Sequence, residues 1–210
     1  MIAVRIASIT DLKKKRNNYF NESSLFSFIL DEASINDDKV FAGQVGKAMI
    51  RRLLIEAGLD DEALATIRNN TYGKPELPNS DFDFNLSHSN DIVVAALSNR
   101  KRIGIDVEAI RPINIQEYKT DLTSNEWEHL ISAPNPELVF FELWTKKESL
   151  LKAYGVGLQA DLCSAQLFDN TGYFRDPQNL GYFTKVDIPN YVCHLCTTFS
   201  FHDIDTKWIE

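Results

Sequence analysis

The chain has 210 residues, 44% hydrophobic and 25% charged, with a formal net charge of −8 and a pI near 5.1. That length supports one large domain or two small ones with a real core, and the ordinary composition excludes a disordered chain, a collagen or a repeat array. The acidic balance argues against a general nucleic-acid binder, although a local basic pocket can sit on an acidic surface; the N-terminus is charged too early for a signal peptide and no apolar run reaches membrane-spanning length, so a cytoplasmic protein is expected.

Residues 2–9 alternate weakly and predict a first strand. Residues 11–18 are polar and hold the one strong basic cluster, Lys13, Lys14, Lys15 and Arg16. Such a run is by default a solvated helix face, and alternatively a contact for an anionic ligand. Residues 23–30 form a short apolar stretch. Asn36 or Asp37 can cap a helix that runs to about residue 57, with Gly58 as its stop. Val45, Met49, Leu53 and Leu54 fall on one side of that helix; Lys47, Arg51 and Arg52 form a basic flank whose simplest role is solubility.

Residues 69–78 are rich in turn formers, and Gly73 and Pro75 bracket Lys74 and fix where it projects. Residues 82–86 alternate as a strand that delivers Ser87, His88 and Ser89 at its end. A second apolar strand follows at 92–97, then a polar turn and a third strand at 103–108, which together read as an antiparallel meander. The connections bring Ser87 and His88 within reach of Asp106 and Glu108. A lone histidine at a strand end is by default a hydrogen-bonded structural residue; beside Ser87 and Lys74 it could instead help to gather a phosphate.

In the third strand Ile105 and Val107 alternate with Asp106 and Glu108, so the acids share one face. Two carboxylates roughly 7 Å apart repel by about 2–3 kcal/mol at an effective dielectric near 20. A divalent cation with oxygen ligands relieves that repulsion; so does a solvated strand end with no function.

Thr123, followed three residues later by Glu126, predicts a capping box and a helix that Pro134 and Pro136 end. A longer helix follows at about 137–154, stopped by Gly155 and Gly157. On it Trp144, Glu148 and Lys152 are spaced i, i+4, i+8 and line one face, while Leu143, Leu150, Leu151 and Tyr154 lie off that line and can bury the helix. Read alone, Glu148 and Lys152 are an exposed pair worth about 0.2–0.5 kcal/mol. Read with the strand, Glu148 completes a carboxylate cluster with Asp106 and Glu108, and Lys152 faces a phosphate drawn to the same cation.

Residues 161–201 predict strands separated by turns at 170–172 and 189–190; residues 202–210 carry no assigned element. Cys163, Cys193 and Cys196 are expected to be reduced thiols. The C-x-x-C spacing at 193–196 falls in a strand, which places the two sulfurs on opposite faces and favours buried strand cysteines over a redox or zinc site. Strand, helix and meander occur before residue 104, and strand, helices and meander after it. The expected fold class is α+β in two similarly built halves, 1–103 and 104–210, with residues 104–108 at the seam, although no sequence repeat accompanies the likeness.

Four motifs in order, Gly73-Lys-Pro75, Phe84-Asn-Leu-Ser-His-Ser89, Gly104-Ile-Asp-Val-Glu108 and Trp144-Thr-Lys-Lys-Glu-Ser-Leu-Leu-Lys152, resemble those of 4′-phosphopantetheinyl transferases of the large, monomeric type that activates nonribosomal peptide, polyketide and fatty-acid synthases. The resemblance spans roughly residues 73–158. It implies two halves related by a pseudo-twofold axis with coenzyme A in the cleft between them. It also implies transfer of the phosphopantetheinyl arm of coenzyme A to a serine of an apo acyl or peptidyl carrier protein, with release of 3′,5′-ADP. By motif match Asp106, Glu108 and Glu148 bind Mg²⁺, Glu148 is the base, Lys152 steadies the pyrophosphate, Ser87 and His88 hold phosphates of coenzyme A and Lys74 its 3′-phosphate. The family's arginine-rich pattern around the first long helix is replaced here by residues such as Gln44 and Lys47, and Lys39 and Arg51 are the candidates left for nucleotide binding. Two other readings use the same residues: a Mg²⁺-dependent phosphohydrolase, and a coenzyme A-binding or carrier-docking module without turnover. The intact set of three acids and Lys152 argues against the module.

Overall fold

The computed structural model describes residues 1–16, 37–100, 102–157, 160–201 and 203–209; the apolar stretch 23–30 and Asn36 lie outside them. In chain order the elements are β1 (Ile2–Ser8), α1 (Ile9–Arg16), α2 (Asp38–Glu56), α3 (Asp61–Ala65), β2 (Arg68–Asn69), β3 (Pro75–Glu76), β4 (Asp83–Ser89), β5 (Ile92–Ser98) and β6 (Ile103–Ala109). After a 3-10 turn at Ile115–Asp121 come α4 (Ser124–Ile131), α5 (Pro136–Tyr154), β7 (Ala165–Phe168), β8 (Thr171–Phe174), β9 (Leu180–Lys185), β10 (Tyr191–Thr197) and β11 (Asp205–Trp208).

Local chemistry sets the helix ends. The Asp37 carboxylate caps α2 by accepting the amides of Lys39 and Val40, and Val45, Met49, Leu53 and Leu54 are all buried as their spacing predicts. Thr123 and Glu126 form the expected capping box at α4. That helix stops at Ile131, and Pro136 turns out to open the next one: it sits at the first turn of α5, where a missing amide costs nothing, behind an Asn135 cap. Gly155, left-handed at φ 66°, closes α5.

The described strands form two main sheets, a four-stranded one of order β11-β1-β5-β4 and a five-stranded one of order β6-β10-β9-β8-β7, besides the two-stranded pair β2-β3. The meander is therefore broken at its third strand. β5 pairs with β4 and β1, whereas β6 leaves for the second sheet and pairs with β10. Residues 202–210, without an assigned element in the sequence, supply β11, which lies parallel to β1, so the first sheet includes a strand from the end of the chain. The strands β1-β5-β4 and β6-β10-β9 share one connection order: a first strand, then helices, then a strand pair whose last member lies beside the first.

Alternation sorts the core into layers. Ala3 and Ala7 of β1 with Val93, Ala95 and Leu97 of β5 pack against Phe41, Val45 and Met49 of α2. Ile2, Val4 and Ile6 point the other way, onto Ile105 and Val107 of β6 and Leu195 of β10. Beyond the second sheet, Cys196 packs with Leu150 and Leu151 of α5. The order is α2, first sheet, second sheet, α5. Each fully buried Leu, Ile or Val contributes about 1.5–3 kcal/mol, and the shared middle layer binds the sheets to one another. Cys193 lies in that middle layer and Cys196 in the α5 layer, on opposite faces of β10 as expected, and all three cysteines are free. Among the described residues no helix is long and apolar enough to cross a membrane.

Candidate active site at the seam of the two sheets

Strand β6 carries its acids on the face that α5 covers. Gly104 makes that possible: a β-carbon there would lie 2.0 Å from the Ser149 carbonyl oxygen and 2.5 Å from the Ala153 nitrogen. With the helix this close, Glu148 and Lys152 arrive over Asp106. The sequence reading placed the acids opposite a single buried apolar face; both faces are in fact covered, and Asp106 and Glu148 are each only 5% exposed.

Lys152 Nζ donates to Asp106 Oδ1 at 2.6 Å, to Ser87 Oγ at 3.1 Å and to the Ile105 carbonyl at 3.3 Å. Ser87 Oγ donates to the same Asp106 Oδ1 at 2.8 Å. Among the described residues, two buried carboxylate oxygens, Asp106 Oδ2 and Glu148 Oε1, have no hydrogen-bond partner. Burial pushes Glu148 up to about 7; Lys152 opposes the rise, and the charges of Asp106 and Glu108 add to it. Burial also raises Asp106, against the pull of Lys152 and Ser87. His88 is lowered, by burial first and then by Lys152.

The edge strands β4 and β6 meet through side chains. Asp83 Oδ2 accepts the Ile103 amide at 2.8 Å, Asn85 Oδ1 the Ile105 amide at 2.9 Å and Ser89 Oγ the Ala109 amide at 3.1 Å. Three of the four alternate residues of β4 thus replace a missing ladder bond of β6, while the fourth, Ser87, donates to Asp106 instead. The strand runs through Ser89 instead of ending before Ser87, and its polar alternation from Asp83 to Ser89 is the signal that could have revealed the seam. Lys74 belongs to the same junction. It is nearly buried, and its ammonium is paired with Asp83 Oδ2 at 2.8 Å and the Ile103 carbonyl at 3.0 Å.

Two cavities flank the seam. One of about 1050 Å³ is lined by Lys13, Lys39, His88, Glu108 and Arg111 among others. The second, of about 870 Å³, is lined by Lys47, Arg51, Tyr72, Lys74 and Lys152 among others. Lys39 and His88 therefore face the first cavity, with Lys74, Arg51 and Lys152 on the second; Ser87 is buried at the seam, and Arg51 is paired with Asp61. Glu108 Oε2 is held by Ser89 Oγ at 2.8 Å and by Arg111 Nη1 at 3.0 Å. Among the described residues no three or more His, Cys, Asp or Glu side chains form a ready-made group able to hold a metal ion. The donors still suit a hard cation, because two buried carboxylate oxygens are left bare beside one another's charges. Lys147, not singled out in the sequence, is fully buried next to Glu148. Its ammonium binds Glu126 Oε2 at 3.0 Å and the carbonyls of Leu162 at 3.0 Å and Ala165 at 2.7 Å.

Residues 102–196, which contain β6, α5 and β10, match the 4′-phosphopantetheinyl transferase superfamily. Over 175 residues the chain is 35% identical to the 4′-phosphopantetheinyl transferase gsp of Aneurinibacillus migulanus, covering 79% of this chain and 72% of that one. The chain belongs to the 4′-phosphopantetheinyl transferase superfamily. It is an enzyme of that transferase type. The transferase is also 32% identical over 123 residues to the 4′-phosphopantetheinyl transferase Sfp of Bacillus subtilis (strain 168), covering 57% of this chain and 54% of that one. With the human L-aminoadipate-semialdehyde dehydrogenase-phosphopantetheinyl transferase it shares 31% identity over 137 residues, 58% of this chain and 44% of the other. The chain matches about half the length of these two relatives. All four of Asp106, Glu108, Glu148 and Lys152 lie within the segment of the transferase that matches the superfamily.

Proposed function

We propose that this transferase moves the 4′-phosphopantetheinyl arm of coenzyme A onto a serine of an apo acyl or peptidyl carrier protein of a fatty-acid, polyketide or nonribosomal peptide synthase. The observation that carries the reading is Glu148: a buried carboxylate with a bare oxygen and a pKa near 7, one helical turn from an ammonium that is itself bound to Asp106. A base for a hydroxyl works best when its pKa lies near the working pH.

The carrier serine oxygen bonds to the β-phosphorus of coenzyme A, and the bond from that phosphorus to the bridging oxygen breaks. The serine proton passes to Glu148, and the electron pair leaves with 3′,5′-ADP. Lys152 opposes the charge that builds on the departing phosphate. Asp106, Glu108 and Glu148 would hold Mg²⁺. That ion would neutralise charge on the pyrophosphate oxygens. Lys13, Lys39 and Arg111 line one cavity, with the His88 imidazole as a hydrogen-bonding partner, and Arg51 and Lys47 line the other, so positive side chains flank the seam on both sides and suit the phosphates of coenzyme A. Lys74 acts through the seam, with its ammonium committed to Asp83 and Ile103. The shared connection order of the two sheets supports two halves related by a pseudo-twofold axis, with coenzyme A bound where they meet. Donor and acceptor are both water-soluble, which suits a cytoplasmic monomer that needs neither membrane nor nucleic acid.

The test is direct. The protein is incubated with coenzyme A, Mg²⁺ and apo carriers from the three synthase classes, and the carriers are weighed by mass spectrometry. Gain of one phosphopantetheinyl group is expected; no gain on any carrier overturns the reading.

A further inference from the structure

We propose that Ser89 is a positioning residue for Glu108, which it holds so that a single carboxylate oxygen faces a divalent cation. The proposal rests on the metal-dependent reading above. Ser89 Oγ accepts the Ala109 amide at 3.1 Å and donates to Glu108 Oε2 at 2.8 Å. The accepted bond comes from β6 backbone, so the hydroxyl is anchored on the same strand as the acid it orients. Arg111 Nη1 donates to that same Oε2 at 3.0 Å, and its guanidinium is held 5.1 Å from the centre of the Phe141 ring. Two donors take up the lone pairs of Oε2 and leave Oε1 for a ligand.

Asp106, two residues earlier, repeats the arrangement. Its Oδ1 takes a serine hydroxyl, Ser87, and a cation, Lys152, while Oδ2 is buried with no partner among the described residues. Two serines two residues apart on β4 thus face two acids two residues apart on β6, and each acid is fixed by one oxygen and bare at the other. That geometry has a chemical consequence. Mg²⁺ requires near-octahedral donors at short distance, and a bidentate carboxylate fits that badly; Ca²⁺ accepts bidentate carboxylates readily. A Glu108 locked through Oε2 offers one oxygen and so favours the smaller ion. Released, it can turn both oxygens to the cation.

The test is titration calorimetry of Mg²⁺ and, separately, Ca²⁺ into the full chain with coenzyme A in excess, on wild type, Ser89→Ala and Ser89→Thr, with a thermal melt of each. Ser89→Ala is expected to weaken Mg²⁺ by about 10- to 100-fold, the usual cost of losing a partner of a metal ligand, and to weaken Ca²⁺ much less. Ser89→Thr, which keeps the hydroxyl, restores the wild-type ratio. Equal loss for both ions, or no loss with only a lower melting temperature, overturns the proposal and reduces Ser89 to a partner for the Ala109 amide. Wild type that binds neither ion overturns the metal reading itself, and the proposal with it.

Discussion

Gly104 of β6 lies against the main chain of Ser149 in α5, so close that a β-carbon would fall 2.0 Å from the Ser149 carbonyl oxygen. Backbone cannot yield there as a flexible side chain would, and the strand needs α5 at that distance to bring Glu148 and Lys152 over Asp106. Gly104→Ala is expected to cost about 3 kcal/mol, the upper end for overpacking, and to lower transfer more than stability alone explains. Gly43 on α2 has nothing within 4 Å of its β-carbon position, so Gly43→Ala should gain about 0.5–1 kcal/mol from helix propensity. Denaturant midpoints of the two variants check the contrast; equal midpoints would remove the close approach as the reason for glycine at 104.

The sequence made the helices legible because their caps and apolar stripes are local: Asp37, Thr123 with Glu126, and Gly155 each act within one turn. The nearness of Glu148 to Asp106 and Glu108 could be anticipated because each acid sits in a short motif. Strand partners were not, since β5 and β6 are consecutive yet belong to different sheets, and pairing between distant segments leaves no mark on either segment alone. For the same reason β11 went unassigned: its short exposed strand is defined by its neighbour β1. The surroundings of Lys74 were obscured differently. A lysine in a Gly-Lys-Pro turn looks exposed until Asp83 and the Ile103 carbonyl are seen to enclose it.

Lys74 gives a prediction with two separable outcomes. Its ammonium is in a nearly buried pair with Asp83, and removing one partner of such a pair costs about 3–5 kcal/mol. Lys74→Ala should therefore lower stability and slow transfer by the same factor with coenzyme A and with 3′-dephospho-coenzyme A. Steady-state rates with both donors decide it. A defect confined to coenzyme A would show that the lysine leaves Asp83 to hold the 3′-phosphate.

Lys147 ties α5 to α4 and to the start of β7. Its ammonium draws Glu126 of α4 and the carbonyls of Leu162 and Ala165 to the helix. Glu126→Gln removes the counter-charge and leaves a fully buried ammonium, an expected loss of about 3–5 kcal/mol. Lys147→Met strands the Glu126 carboxylate in turn, but that group is less buried than the ammonium and keeps the Thr123 amide at 2.8 Å, so the loss should be smaller. Chemical denaturation of both variants checks the order; the reverse order would mean that the carbonyl bonds outweigh the ion pair.

Glu148 ties stability to pH with a definite sign. Its folded pKa is raised from 4.5 to about 7, mainly by burial, so between those values the folded state holds a proton that the unfolded state has released. Stability from this group then falls as pH rises, starting near 4.5 and completing just above 7, and the full penalty is about 3 kcal/mol. Glu148→Gln cannot ionise and escapes it. With divalent cations chelated, the variant should match wild type in thermal melts near pH 4.5 and exceed it increasingly up to pH 7.5. The same substitution removes the base, so transfer should be lost while the fold gains stability, the exchange expected of a strained functional group. A stability difference that stays constant across this range would mean that Glu148 ionises normally in the fold, and would remove the buried, near-neutral carboxylate on which its role as base depends.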